Sequence, residues 1–346
     1  SPAPYPFPYT QTPSNEVFLS GASLPCLPVG NNKIPSVQQF SFGVQQQYGP
    51  KWSSDIYYAG NVGRHLYVIL DDNSPIYSTT CTGATCGTTI GENARRPYQP
   101  MPAIYTFGAI SIAAPAASSS YHSLQAVINR RFNRLFSLEA NFVWSKLSGF
   151  GDPTNAYDLR SSHGLLNIDL PINFSASYIL VVPDPRRLGS LWRVMLSGWE
   201  VNGITILRSG QPINVISGID TNFDGNNNDR PNVVGNPHLP GGRSRVETKT
   251  AFFNPEAFSV PPPGTPYGNA PFDMLFGPKY VSTDLSAFKV LPVSKRAALR
   301  IRAEVFNAFN NVNMNDPNTT KKSPAFSTIS GAGSPRIVQL VLRISY

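Results

Sequence analysis

The sequence predicts an all-β protein, an antiparallel transmembrane β-barrel represented by about nine of its strands. Three observations predict it. Apolar and polar residues alternate with a period of two along segments of about ten residues. The connections between those segments alternate shorter and longer, as the two rims of an outer-membrane barrel do. Charged residues are 14% of the chain, below the ~25% of an ordinary soluble domain, yet no stretch approaches the ~20 consecutive apolar residues of a spanning helix. The mean hydropathy of −0.17 suits strands that are apolar on one face only. A secreted β-rich protein would share this composition, so the strand pattern and the connections carry the distinction.

The strands are read in order over Val37–Tyr48, Trp52–Gly60, Tyr121–Phe132, Leu135–Lys146, Ile172–Val182, Met195–Arg208, Tyr280–Val290, Arg296–Phe309 and Arg336–Tyr346. In the first, Phe40, Phe42 and Val44 oppose Gln39, Ser41 and Gln45. In the third and fourth, Leu124, Ala126 and Ile128 oppose Ser123, Gln125 and Asn129, and Leu138, Ala140, Phe142 and Trp144 oppose Ser137, Glu139, Asn141 and Ser145. In the fifth, Phe174, Ala176, Tyr178 and Leu180 oppose Ser175 and Ser177. The eighth is the clearest: Leu299, Ile301, Ala303 and Val305 fall on one face and Arg300, Arg302 and Glu304 on the other. A helix would mix the two sets around its circumference, whereas a strand separates them. The last strand places Val338, Leu340, Leu342, Ile344 and Tyr346 together. Most of these segments have the ~9–11 residues that a tilted strand needs to cross a bilayer.

The shorter connections are Gly49–Lys51, Asn133–Arg134, Pro183–Val194 and Leu291–Lys295. The longer ones are Asn61–Ser120, Leu147–Pro171, Ser209–Lys279 and Asn310–Pro335. With Tyr346 at the periplasmic end, every shorter turn is periplasmic and every longer loop is outside. Prolines and glycines cluster at Ser1–Pro13, Pro183–Gly189, Gly235–Gly242 and Pro261–Gly268, which punctuates the chain against long helices. An odd strand count leaves an unpaired edge, which a barrel in lipid does not tolerate. Residues 1–36 are therefore read as the remnant of an outside loop, and residues 37–346 as the C-terminal part of a larger barrel. The chain starts at Ser1 without a signal sequence, as a mature piece or fragment would. The net charge of +8 is spread along strands and turns, with no basic helix or run, so nucleic acid is not an expected partner.

An ordered series of short motifs suggests a family. Tyr121-His-Ser-Leu-Gln125 leads to Asn129-Arg-Arg-Phe132 and then to Phe142-Val-Trp-Ser-Lys146. Gly198-Trp-Glu-Val-Asn-Gly203, Ser209-Gly-Gln-Pro212 and Asp229-Arg-Pro231 follow. Phe252-Phe-Asn-Pro-Glu-Ala-Phe258 and Arg302-Ala-Glu-Val-Phe-Asn-Ala-Phe-Asn310 complete it. The series resembles the C-terminal barrel of Oar-like TonB-dependent receptors, many of which carry a carboxypeptidase-regulatory-like domain at the N-terminus. The resemblance implies a barrel of about 22 strands around a plug in the Gram-negative outer membrane. It also implies energised uptake or export of an unidentified large solute or protein through the TonB complex. This sequence contains no plug, TonB box or N-terminal β-sandwich, so transport by these residues alone is not expected. The competing class is a non-transporting surface-structural or adhesin-like β-protein, in the outer membrane or secreted.

Candidate sites follow from residue types and spacing. Gln339, Leu340, Leu342, Ile344 and Tyr346 resemble the C-terminal signal read by the barrel-assembly machinery, with Val341 where Gly is commoner; the alternative is an ordinary amphipathic edge strand. Asp220, Asn222, Asp224, Asn226 and Asn228 stand at positions 1, 3, 5, 7 and 9 of a calcium-type loop with Gly225 at position 6. Position 12 is Pro231 rather than the bidentate Glu, and Asp229 at position 10 is the substitute; the alternative is a polar Asn/Gly turn. No other cofactor is expected. Asp284, Arg300, Arg302 and Glu304 are expected as lumen charges, with Asp284 pairing Arg300 or Arg302 and Arg302 pairing Glu304. Trp144, Trp199, Tyr178 and Tyr346 are expected at the lipid interfaces. Cys81 and Cys86 bracket a Ser/Thr/Gly-rich loop and are expected to form a local disulfide, with Cys26 left over. There is no Gly-x-Ser-x-Gly, phosphate loop or metal-spaced histidine pair, so no enzyme is expected.

Overall fold

A computed structural model describes residues 33–98, 108–133, 135–151, 153–183, 192, 195–262, 265–294 and 297–345. The strands are β1 Ser36–Tyr48, β2 Trp52–Asp71, β3 Ser111–Arg130, β4 Phe136–Phe150, β5 His163–Leu165, β6 Ile172–Val181, β7 Trp199–Arg208, β8 Pro212–Ile213, β9 Asn232–Val233, β10 Phe258–Ser259, β11 Leu275–Phe276, β12 Tyr280–Pro292, β13 Ala298–Phe306 and β14 Ile337–Ser345. Nine of them form one antiparallel sheet in the order β1-β2-β3-β4-β6-β7-β12-β13-β14, with β5 paired to β4 at one end. Neighbours in the sheet are neighbours in sequence apart from the short strands, the meander that hairpins and long loops produce. This is an antiparallel meander of the kind that forms a barrel wall. Among the described residues β1 and β14 each have a single partner, so the sheet has two free edges.

All nine expected strands are present. The largest difference lies in β2 and β3, which run eleven and ten residues past the expected ends into the segment read as a loop over Asn61–Ser120. Their outer pairing is broken by register shifts between Gly63 and Leu66 and between Leu66 and Val68. His65 takes a positive φ of 55° there, and Pro115 in β3 has no N–H to give the ladder. A bulged ladder scrambles the period of two, and so hides the strand from a pattern search. The strand expected from Met195 begins instead at Trp199, because Met195 and Leu196 turn helically and Gly198, at φ 72°, reverses the chain. The strand expected to reach Phe309 stops at Phe306, where Asn307 enters the left-handed region at φ 49°. The loop remnant at residues 1–36 falls outside the described residues except for 33–36, of which Ser36 already belongs to β1.

The two sheet faces separate cleanly by register. One face carries Leu138, Tyr178, Gly203, Leu285, Val305 and Val338 in one row across six strands. The opposite face carries Ser53, Asn129, Glu139, Ser177, Ile204 and Asp284 in one row, and Ser137, Ile179, Asn202, Ser286, Glu304 and Gln339 in the next. Apolar side chains such as Phe42, Trp144, Leu340 and Leu342 stay largely exposed, as lipid-facing residues must.

The buried hydrophobic cluster lies away from the sheet, among the long connections. Ile213, Val215, Phe253, Ala257, Phe258, Leu275 and Phe326 form it. Phe253, Phe258 and Phe326 meet edge to face with centroids 5.1–5.9 Å apart, an arrangement worth about 0.5–1.5 kcal/mol per pair beyond area burial. The strand pairs β8–β11 and β9–β10 frame this cluster. Buried Ser327 fastens it: its hydroxyl accepts from the Phe253 N–H at 2.9 Å and donates to the Phe253 carbonyl. The loops after β7 and β13 thus fold together as a cap at one rim of the sheet.

Candidate functional site

Two regions could act on a ligand: the polar face of the sheet and the cap. The polar face bounds a hollow of about 750 Å³ lined in part by Glu139, Ser177, Asn202, Asp284, Ser286 and Glu304. Strand alternation brings these side chains together from two neighbouring rows of one face. Arg302 and Glu304 are paired on β13 as expected from their spacing, at 2.5 Å. The expected pairing of Asp284 with an arginine is not found. Asp284 lies in the row beyond Ser286 and Glu304, whereas Arg302 sits opposite Phe288. Four residues of strand, ~14 Å at ~3.4 Å each, separate the two rows. Asp284 Oδ1 instead accepts the Asn307 N–H at 2.8 Å and the Ser282 hydroxyl at 3.3 Å, which makes it the clasp of the turn that ends β13. Leu299, Ile301, Ala303 and Val305 fall on the opposite, apolar face.

Aromatic residues mark both ends of the apolar face. Trp144 stands near the outer end of β4, and Trp199 and Tyr178 near the inner ends of β7 and β6. Cations accompany the inner group. The Lys289 ammonium lies 5.7 Å from the Trp199 ring and donates to the Met195 carbonyl. The Arg130 guanidinium lies 5.1 Å from Trp52 and 4.9 Å from Phe136. These cations reach past the apolar band toward the polar boundary while their stems stay in it. On β14, Leu340, Leu342 and Ile344 pair with Ala303, Ile301 and Leu299 on the apolar face, and Gln339 pairs with Glu304 on the polar one. Tyr346 lies outside the described residues, as does Cys26.

The cap holds the Asp220–Asp229 loop. Asp220 accepts from the N–H groups of Asp224 and Gly225 at 3.0 and 2.8 Å. Asn222 Oδ1 accepts from Asp224 N–H at 2.9 Å, and Asp224 Oδ1 from Asn226 N–H at 2.8 Å. Gly225 has a φ of 92°, which lets the chain turn sharply between them. Asp229 is 1% exposed, and its Oδ2 accepts from Thr221 N–H, the Thr221 hydroxyl and Asn222 N–H. Burial pushes the Asp229 carboxyl up to about 7, against the pull of the bonds from Thr221 and Asn222. Burial also raises Asp224.

A second loop closes on this one. Cys81 and Cys86 form a disulfide with Cα atoms 5.4 Å apart. It closes on itself the first of two short helices, Gly83–Cys86 and Thr89–Ala94. The Arg95 guanidinium that follows donates to the carbonyls of Ile76, Cys86, Gly91 and Phe223. Asn222 Nδ2 donates to the Thr154 carbonyl of the loop after β4 at 2.9 Å. Sequence reading missed Glu92 and Arg95 as neighbours of the Asp220–Asp229 loop, because more than a hundred residues separate them and no local pattern links the two. It also missed the cap. The run Phe252-Phe-Asn-Pro-Glu-Ala-Phe258 was its one local signal, an apolar density out of place in a solvated loop. Among the described residues no three His, Cys, Asp or Glu side chains are close enough to hold a metal by themselves.

Comparison with known proteins agrees with this architecture. A family model described as an outer membrane beta barrel domain matches residues 1–339. No curated protein matches the sequence. Solved structures that resemble the chain include the FpvAI–pyocin S2 complex (10% identity, TM-score 0.44, 90% of this chain and 27% of that one). The outer membrane transporter YddB from Escherichia coli (10%, 0.42, 94% and 34%) and the FrpB iron transporter from Neisseria meningitidis (10%, 0.42, 94% and 33%) are others. The chain spans about a third or less of the length of each.

Proposed function

This chain belongs to the outer membrane beta barrel family, whose place is the Gram-negative outer membrane, and from that membership we propose that it builds the C-terminal wall of an Oar-like TonB-dependent receptor. The observation that carries the reading is the division of labour within the molecule. Two rows of one sheet face carry mostly Ser, Asn, Glu, Asp and Gln side chains in register across the strands, with Ile179 and Ile204 the apolar members, and the outer rim carries a folded cap. A polar face of that width makes a wetted lumen, and Asp284, Arg300, Arg302 and Glu304 keep it solvated. The cap stands over the lumen mouth and takes the first contact with solute. The partners on this reading are lipid on the apolar face, the barrel-assembly machinery at β14, and the TonB complex acting through segments that lie in the rest of the receptor. The proposed activity is transport, not catalysis.

The free edges of β1 and β14 support the wall rather than the whole. In hydrocarbon each unsatisfied backbone group costs several kcal/mol, so further strands or a second copy must pair with them. Liposomes holding residues 1–346 alone, and liposomes holding the product of the whole reading frame, test this. The expected result is TonB-dependent solute flux with the second and none with the first. A monomer of residues 1–346 that closes and moves solute under TonB control would overturn the reading. The packed cap also favours a second role, binding at the cell surface without transport. Ligand capture by intact cells, with no flux in the complete receptor, would select it.

A further inference from the structure

We propose that the Asp220–Asp229 loop is a calcium site that joins two outer loops. The inference is independent of transport and rests on the loop itself. Two oxygens there are buried without a donor among the described residues: Asp229 Oδ1 and Asn228 Oδ1. Asp229 is 1% exposed, and its other oxygen is held by Thr221 and Asn222, at positions 2 and 3 of the loop. The carboxylate is therefore fixed through one oxygen, and the other is buried and unspent. A buried carboxylate oxygen with nothing to bond is costly, and a cation is the partner that satisfies it.

Charge balance points the same way. Asp220, Asp224 and Asp229 gather with Glu92, whose Oε2 lies 3.3 Å from where a Cβ on Gly225 would stand. Two guanidiniums face them. Arg95 is attracted to Asp220, Glu92 and Asp224, and Arg230 divides its attraction between Asp158 and Asp229. Arg230 is shared with Asp158, so acidic side chains outnumber the guanidiniums near the loop, and a cation would offset them. The donors are all oxygen, and three of them, Asn222, Asn226 and Asn228, are amides. Calcium accepts six to eight such ligands at flexible angles, whereas magnesium demands a tight octahedron and keeps its waters. The mixed set also explains why no three acidic side chains converge by themselves: amide and backbone carbonyl oxygens complete the shell. Glu92 belongs to the second of the two short helices, just past the disulfide, so an ion here would fasten that segment to the long loop after β7.

The test is calorimetric titration of CaCl2 into the folded protein in detergent after stripping with EGTA, with MgCl2 as comparator. Saturable binding of one calcium per chain is expected, weakened at least tenfold by Asp229→Asn and by Asp224→Ala, with magnesium unable to compete at equal concentration. Retention of the barrel's heat-dependent gel shift shows that the variants have folded. Should they not fold, the unaltered protein decides: calcium should slow amide exchange at residues 220–229 and leave the helix Arg245–Thr250 unchanged. Absence of heat above dilution in the intact protein, equal affinity in both folded variants, or exchange indifferent to calcium would overturn the site.

Discussion

The ring of Tyr178 covers the backbone of Gly203, its partner across β6 and β7, so closely that a Cβ on Gly203 would stand 2.3 Å from the ring's Cζ. An aromatic laid over a strand glycine shields backbone that a side chain would otherwise cover. Because the ring is the free end of a side chain, it can swing away. Gly268 is a harder case, since a Cβ there would meet the Arg230 and Pro231 carbonyl oxygens at 2.1 and 2.3 Å, and backbone cannot swing. We expect Gly203→Ala to cost about 1 kcal/mol and Gly268→Ala towards the upper end of the ~1–3 kcal/mol of overpacking. Urea unfolding followed by the gel shift for the first, and by loop proteolysis for the second, measures both. Equal tolerance at the two positions would contradict the packing described.

Ile301 and Arg302 are adjacent on β13 and face opposite sides. A cation at the midplane of the lipid face costs ~2–4 kcal/mol. Ile301→Arg should therefore deplete folded barrel in the membrane, while Arg302→Ala loses one partner of a polar-face pair and should assemble nearly normally. The fraction of heat-modifiable protein in purified outer membranes reads the difference. Equal yields would mean that the register is inverted.

Phe253 is 3% exposed at the centre of the cap's aromatic trio. Truncating a buried Phe to Ala costs about 3–5 kcal/mol. With its core outside the sheet, the cap should loosen alone: Phe253→Ala should expose the segments 209–279 and 310–335 to protease, with the gel shift intact. Loss of both together would show that sheet and cap fold as one unit.

Glu247 caps the helix Arg245–Thr250. Hydrogen bonding with Ser244 holds its carboxyl below the usual Glu value; the Ser244 N–H donates to Oε2 at 2.7 Å. A carboxyl depressed on folding adds stability above its unfolded pKa, and that stability is lost as pH falls through the folded value. The helix should therefore fray on acidification below the range where free Glu titrates. Ser244→Ala should move the Glu247 titration upward toward the free value. Carboxyl-carbon NMR follows that titration, and an unmoved midpoint in the variant would remove Ser244 as the cause.

The sheet was legible because each strand sorts its own residues: Leu299 to Val305 need no distant partner to declare a face. The interruptions at Pro115 and His65 were not, since a bulge is a relation between two strands. The candidate loop could be read from spacing alone up to Asn228, and Gly225 gave the turn. Its closure could not, because Glu92 and Arg95 arrive from another loop. The cap was hidden for the same reason: Phe253 and Phe326 belong to different connections and meet only after the strands have set the loop ends side by side.

The cap has a bearing on how the protein reaches its final place. On the proposed topology, its phenylalanines come from segments that would have to cross from the periplasm to the cell exterior as extended chain, since a folded knot of that girth could not follow a strand through the bilayer. The aromatic trio can close only once those segments have crossed. After it closes, slipping back would require prying three rings apart in water. On that topology the cap would act as a pawl, making insertion one-way, with the far side of the membrane supplying the latch.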